Sequence, residues 1–140
     1  GKSVSRVASN GKYLKKFATL NAERMVTNQL EDIAILDRDT KSVVVVDREG
    51  KQLIKILQRG TGYELDNPVD VTFDPFGNIY VLDRGKPSLH VFNPKSKLLA
   101  SFSMAEKDAG SFPRPQAFGL DGAGRVYLFD DRSQRIQVYQ

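Results

Sequence analysis

Three short segments of the chain match one another and end on the same residue type. Ile33-Ala34-Ile35-Leu36-Asp37 aligns with Ile79-Tyr80-Val81-Leu82-Asp83, and both align with Val126-Tyr127-Leu128-Phe129-Asp130. The closing aspartates lie 46 and 47 residues apart. Similarity at a fixed period of about 40–50 residues marks a repeat architecture, in which each unit buries its apolar face against its neighbour. No stretch carries a sustained 3.6-residue apolar pattern, so the repeated runs are expected to be strands.

Each aspartate-ended run is followed by a polar loop and a second apolar run: Val43–Val46, Leu89–Phe92 and Ile136–Tyr139. In two units a turn leads to a third run, Leu53–Leu57 or Leu98–Phe102. A run also precedes each one: Arg24–Thr27, Val69–Phe73 and Ala117–Leu120. At the N-terminus, Asn10-Gly11 separates Ser3–Val7 from Tyr13–Phe17, a strong hairpin signal. The segment Ser103–Gln116 is expected to hold at most a helical turn around Met104–Asp108 before Pro113 and Pro115.

A repeated four-stranded antiparallel unit of this length is a propeller blade. With strands named a to d from the axis outwards, residues 1–18 supply strands c and d of one blade. Residues 19–58 and 66–103 supply two complete blades, and residues 115–140 supply a to c of a further one. The expected fold is therefore all-β, a partial or half propeller with about three blades' worth of strands, thirteen in number. A closed four-bladed ring is disfavoured, because the two partial blades together duplicate strand c. The chain is read as a fragment of a larger propeller, a half that assembles with another copy, or an open stack with exposed apolar ends.

The pattern resembles NHL repeats of the six-bladed β-propeller class. One unit reads Asn67-Pro68-Val69-Asp70-Val71-Thr72-Phe73-Asp74, then Gly77-Asn78-Ile79-Tyr80-Val81-Leu82-Asp83, then Leu89-His90-Val91-Phe92. The last reads Phe112-Pro113 through Asp121, then Gly124-Arg125-Val126-Tyr127-Leu128-Phe129-Asp130, then Arg135-Ile136-Gln137-Val138-Tyr139. The family's loop histidine is missing, Ser42 and Ser88 replace its basic residue, and Val69 and Gln116 stand where it has glycine. The resemblance implies a scaffold whose loop faces bind proteins, RNA, cell-wall material or small ligands. It also implies a few lyase- or hydrolase-like members with axial histidines.

Composition narrows the chemistry. Cysteine is absent and His90 is the one histidine. Disulfides, thiolate chemistry and a multi-histidine metal site within the chain are therefore excluded, and no cofactor or metal is expected. No apolar run approaches the ~18 residues of a membrane span, so a soluble chain without membrane insertion is expected. No leader-like apolar segment opens the sequence. The compartment stays open between cytoplasmic and periplasmic or extracellular. The net charge of +4 allows an acidic partner.

Asp37, Asp83 and Asp130 close strand b and are expected to accept N–H bonds from their own b–c loops, with a carboxylate ring as the functional alternative. Asp74 and Asp121 are expected to open a–b turns, with Gly77 and Gly124 at positions of positive φ. Alternating strand direction puts b–c and d–a loops on one face. Arg24, Arg38, Arg59, Arg84, Arg114 and Arg132 are placed there, with Lys41 and Lys86, as a rim for a protein or anionic partner. Tyr63 and Phe112 are its apolar anchors, and Phe76 is a further exposed aromatic. The plain alternative is a solvated surface in which each arginine pairs with a neighbouring carboxylate. Lys2, Arg6, Lys12, Lys15 and Lys16 are read as charge guarding an outer edge. Phe73, Tyr80, Phe92, Phe102, Phe118 and Tyr127 are assigned to the core. Nucleic acid is weakly supported, because no stacking platform sits among the basic residues. His90 is expected to be partly exposed and without catalytic partners. The leading expectation is a non-enzymatic binding or scaffold module whose partner is a protein. The alternatives are self-assembly into a composite ring, or a fragment of a propeller lyase or hydrolase whose catalytic groups lie elsewhere.

Overall fold

A computed structural model describes residues 2–104 and 112–140. The described strands are β1 (Val4–Val7), β2 (Tyr13–Ala18), β3 (Ala22–Thr27), β4 (Ile33–Asp37), β5 (Ser42–Val46) and β6 (Gln52–Ile56). They continue with β7 (Arg59–Gly60), β8 (Tyr63–Glu64), β9 (Pro68–Phe73), β10 (Ile79–Asp83), β11 (Ser88–Phe92) and β12 (Leu98–Ser103). The last three are β13 (Pro115–Leu120), β14 (Val126–Asp130) and β15 (Arg135–Tyr139). The fold is all-β. Two four-stranded antiparallel meanders, β3-β4-β5-β6 and β9-β10-β11-β12, stand between the β1-β2 hairpin and the three-stranded sheet β13-β14-β15. The innermost strand β9 adjoins both β3 and β13, as neighbouring strands around a common axis do. No sheet among the described residues closes into a barrel.

The largely apolar strands β4, β5 and β10 follow from burial on both sheet faces. Successive side chains of a strand point to opposite faces. Ala34 and Leu36 pack with Val71, Ile79, Val81 and Phe92 of the next blade, whereas Ile35 packs with Val44, Val46 and Val4 of the hairpin. Leu82 and Leu89 turn the other way, to Leu128, Met104 and Phe112. The outer strands are wetter: β6 and β12 carry mostly exposed residues.

One turn recurs along the face bearing the a–b and c–d connections. Asn28, Asp47, Asp74, Asn93 and Asp121 each use a side-chain oxygen to accept N–H bonds from residues two and four positions on, at 2.9–3.0 Å. The residue three positions on has positive φ, which suits Gly77 (82°) and Gly124 (78°).

Several expectations need correction. There are fifteen described strands rather than thirteen, because the d–a connection forms the extra hairpin β7-β8. Gly62, at φ 82°, permits its tight turn, and Tyr63 lies where a Cβ on Gly60 would collide with its ring. Phe102 is not core: it is 56% exposed, because β12 is an outer edge strand. His90 is not partly exposed: it is 5% exposed, beneath the Tyr63 ring contributed by the extra hairpin. The proposed helical turn over 104–108 falls almost wholly outside the described residues.

Candidate functional site

The b–c and d–a loops meet at one end of the blades, and three aspartates organise that end. Asp83 accepts N–H bonds from Asp66 at 2.6 Å and Asn67 at 3.0 Å, in the segment leading into β9, and from Gly85 at 2.8 Å in its own b–c loop. Asp37 does the same with Asn21 and Asp39, and takes the Thr40 hydroxyl at 2.6 Å. Asp130 accepts from Arg114 and Ser133. Burial alone would raise the Asp130 pKa, but the N–H donors outweigh it and hold the carboxyl below its ordinary range. All three side chains are buried, and each fastens strand a to strand b of its blade.

Most of the basic residues on this face are held by neighbours. Arg38 donates to Glu23 at 2.9 Å, and that hydrogen bond raises the guanidinium pKa. Arg59 pairs with Glu64 at 2.9 Å across β7-β8, and Lys86 reaches the same carboxylate at 2.8 Å. Arg114 lies 3.5 Å from Asp131. Arg84 donates to the Gln116 amide oxygen at 2.7 Å, and Lys41 to the Asp66 carbonyl at 2.6 Å. Arg132 is exposed on its loop. The carboxylates dilute the positive field that a strongly anionic partner would need. Glu23, Arg38, Lys41, Asn67 and Arg84 line a cleft of about 310 Å³ between two blades.

The proposed apolar anchors behave differently. Phe112 is 1% exposed and sits in the core with Leu82 and Leu128, so it cannot be a contact residue on the rim. Pro113 and Pro115 turn the chain, and the Phe112 ring folds inward beside Tyr139, with centroids 6.1 Å apart. Tyr63 is half-buried, edge-on to Phe92 at 4.8 Å, and burial raises its phenol pKa. Phe76 is 85% exposed, but on the opposite face. There, with Leu30 and the three a–b turns, it borders a cleft of about 590 Å³.

Asp70 was not singled out from the sequence. It lies on the innermost strand β9, where its Oδ2 accepts the Phe118 N–H of β13 at 3.0 Å and its Oδ1 lies 3.8 Å from Arg24 Nε of β3. It thus ties three blades together near the axis. Burial raises its pKa against the opposing pull of the Phe118 and Val71 N–H groups and Arg24. The available signal was a carboxylate between Val69 and Val71 in an otherwise apolar run. Among the described residues, no group of three or more His, Asp or Glu side chains is arranged to hold a metal ion. Among the described residues no helix is long and apolar enough to cross a membrane.

No protein-family model matches the chain, and no curated protein matches it. Solved structures do. Over 99% of this chain and 47% of theirs, it is similar to a streptogramin B lyase, with 10% identity and a TM-score of 0.73. It is similar over 99% and 48% to a catalytically inactive histidine-to-alanine variant of virginiamycin B lyase from Staphylococcus aureus with quinupristin, at 12% identity and a TM-score of 0.67. A Bacteroides caccae protein of unknown function matches over 99% and 54%, at 17% identity and 0.58. The chain therefore spans about half the length of the structures it matches. These matches correct the expectation of a non-enzymatic scaffold, because the fold shared over nearly the whole chain is that of catalytic lyases. They are matches to streptogramin and virginiamycin B lyases and do not single out the NHL-repeat family. At such identities the likeness establishes the fold: this chain has a β-propeller fold in common with the streptogramin B lyases.

Proposed function

We propose that the chain is roughly half of a propeller enzyme of the lyase type, acting on a ligand of the streptogramin B class. The carrying observation is the superposition on lyase propellers over 99% of the chain. A lyase cleaves by elimination, which needs a base near the substrate carbon and donors for the developing negative charge. On this chain the axial pair Asp70 and Arg24, with Arg38, Lys41 and Arg84 in the adjoining cleft, provides charge and hydrogen bonding for substrate positioning. His90 stands on a third strand away from the axis, so an axial histidine comes from further blades or from a second copy. The NHL-type blade pattern and the use of this loop face for partners belong to the same proposal.

The test is incubation of the full-length protein with quinupristin, followed by mass spectrometry of the products. Elimination consumes the ligand without adding the mass of water. Water incorporation would identify a hydrolase instead, and absence of both turnover and calorimetric binding would reject this ligand class.

A further inference from the structure

A second constellation lies away from the axis, on the outer half of the β9–β12 blade. Ser88 and His90 are two residues apart on β11, so both side chains emerge on one face. Ser101 of β12 stands directly opposite His90 in the antiparallel register. The three converge. His90 Nε2 lies 3.0 Å from Ser88 Oγ, and His90 Nδ1 lies 2.9 Å from Ser101 Oγ. Ser88 and His90 are buried, whereas Ser101 is exposed. The Tyr63 ring packs beside the imidazole, with centroids 6.2 Å apart.

A neutral imidazole carries one N–H and one lone pair. Two hydroxyls on its two nitrogens are therefore satisfied when one accepts and the other donates. With the proton on Nε2, the ring donates to the buried Ser88 and accepts from the exposed Ser101. This places a base against a solvent-facing hydroxyl, with the second nitrogen fixed by a further group. Burial keeps the imidazole pKa below its ordinary value, against an opposing pull from Asp83, and so favours the neutral ring. The constellation opens on a groove of about 760 Å³, within the range of small-molecule sites, whose walls include Tyr63, Glu64 and Lys86.

We propose that Ser88, His90 and Ser101 form an acyl-transfer site, with Ser101 as nucleophile, His90 as general base and Ser88 as a positioning residue, for esters of carboxylic acids. Ser101 Oγ attacks the carbonyl carbon and its proton passes to His90 Nδ1, while the carbonyl π pair moves onto oxygen. Collapse of the tetrahedral intermediate breaks the bond to the leaving alkoxide, which takes the proton from His90. Water then enters by the same route and frees the acid and Ser101. Tyr63 and Lys86 are among the groove's walls, and the Lys86 ammonium, held by Glu64 at 2.8 Å, supplies positive charge there. The site does not rest on the lyase reading, because it uses outer strands and no axial residue.

The experiment is reaction of the full-length protein with a fluorophosphonate probe and with p-nitrophenyl acetate, with peptide mapping of the adduct. A single adduct on Ser101 is expected. Ser101→Ala, an exposed change on an edge strand, is expected to abolish it. His90→Asn is expected to slow labelling at least ~100-fold, the usual scale of general-base assistance. Ser88→Ala is expected to move the midpoint of the pH–rate profile while leaving Ser101 labelled, a shift that a purely packing role would not produce. No reaction by the wild-type protein, or an adduct elsewhere, overturns the proposal. So does a Ser101→Ala protein that labels at the wild-type rate. Should His90→Asn fail to fold, the Ser101 and Ser88 variants decide the matter.

Discussion

Asp83 reaches back along the chain to the backbone N–H of Asp66, which it holds at 2.6 Å from a side chain with no exposed surface. The bond joins the end of strand b to the segment that begins strand a of the same blade. The carboxylate serves several donors at once, so its removal strands all of them in a buried site. Asp83→Ala is expected to cost about 3 kcal/mol, the scale of charge-assisted hydrogen bonds lost with their donors left unpaired. Urea denaturation would read this as a lower midpoint with an unchanged slope. An unchanged midpoint would show that the loops hold without the aspartate.

Gly85 tests the same junction from the other side. A Cβ there would run into the Asp66 carboxylate. Gly85→Ala is therefore expected to lower the melting temperature by several degrees, equivalent to about 1–2 kcal/mol for a crowded change. A melting temperature equal to wild type would mean that Asp66 moves aside freely.

Leu36 is fully buried between two blades. Leu36→Asp is expected to abolish cooperative unfolding, because it puts an unpaired carboxylate into an apolar interface. Leu53→Asp, at a site 47% exposed, is expected to stay within about 0.5 kcal/mol of wild type. Retained cooperativity at near-normal stability in the Leu36 variant would refute the strand assignment.

The buried histidine gives a pH dependence of defined sign. Burial lowers the folded-state pKa of His90 from the ordinary 6.5, with Asp83 pulling the other way. Below about 6.5 the unfolded chain takes up a proton that the folded chain still refuses. Stability contributed by the neutral ring is present above that pH and is lost as pH falls toward the lowered folded value. Thermal melts across this window should show the decline, and His90→Gln should flatten it. Equal slopes in both proteins would contradict a buried, neutral ring.

Asp121 sets a second window. Its carboxyl is pulled from 3.8 to about 2, first by the Arg125 backbone N–H and then by the Arg125 side chain. This depressed value means that the stabilisation exists above pH 4 and disappears as pH drops through about 2. Acid titration followed by circular dichroism should show a shallower loss for Asp121→Asn over that range. Superimposable curves would remove Asp121 from the account.

Local patterns in the sequence were enough to locate the four-stranded sheets. The inner strands were visible because both faces of β4, β5 and β10 are covered, which left nearly continuous apolar runs. The turns were visible through Asp74-Pro75-Phe76-Gly77 and its relatives. The β7-β8 hairpin was missed because Arg59-Gly60 and Tyr63-Glu64 are too short to make a periodic signal. His90 was misjudged for a related reason: alternation gives the face on which a side chain emerges, but its cover, Tyr63, comes from that hairpin. Phe112 looked like a loop residue by its neighbours, and its burial depends on Leu82 and Leu128, distant in the sequence. Asp70 and Ser101 acquire their meaning from cross-strand and cross-blade partners, which no single segment spells out.

The repeated aspartate fastener also bears on how such a chain can grow. Each of Asp37, Asp83 and Asp130 closes its own blade with donors drawn from that blade. Copying one blade at the level of the gene therefore copies its fastener too, and the new unit arrives with its loops already tied. What duplication must still solve is the fit between neighbouring sheets. Blade number is then limited not by the loops but by the curvature those faces set, which decides where a last blade meets the first.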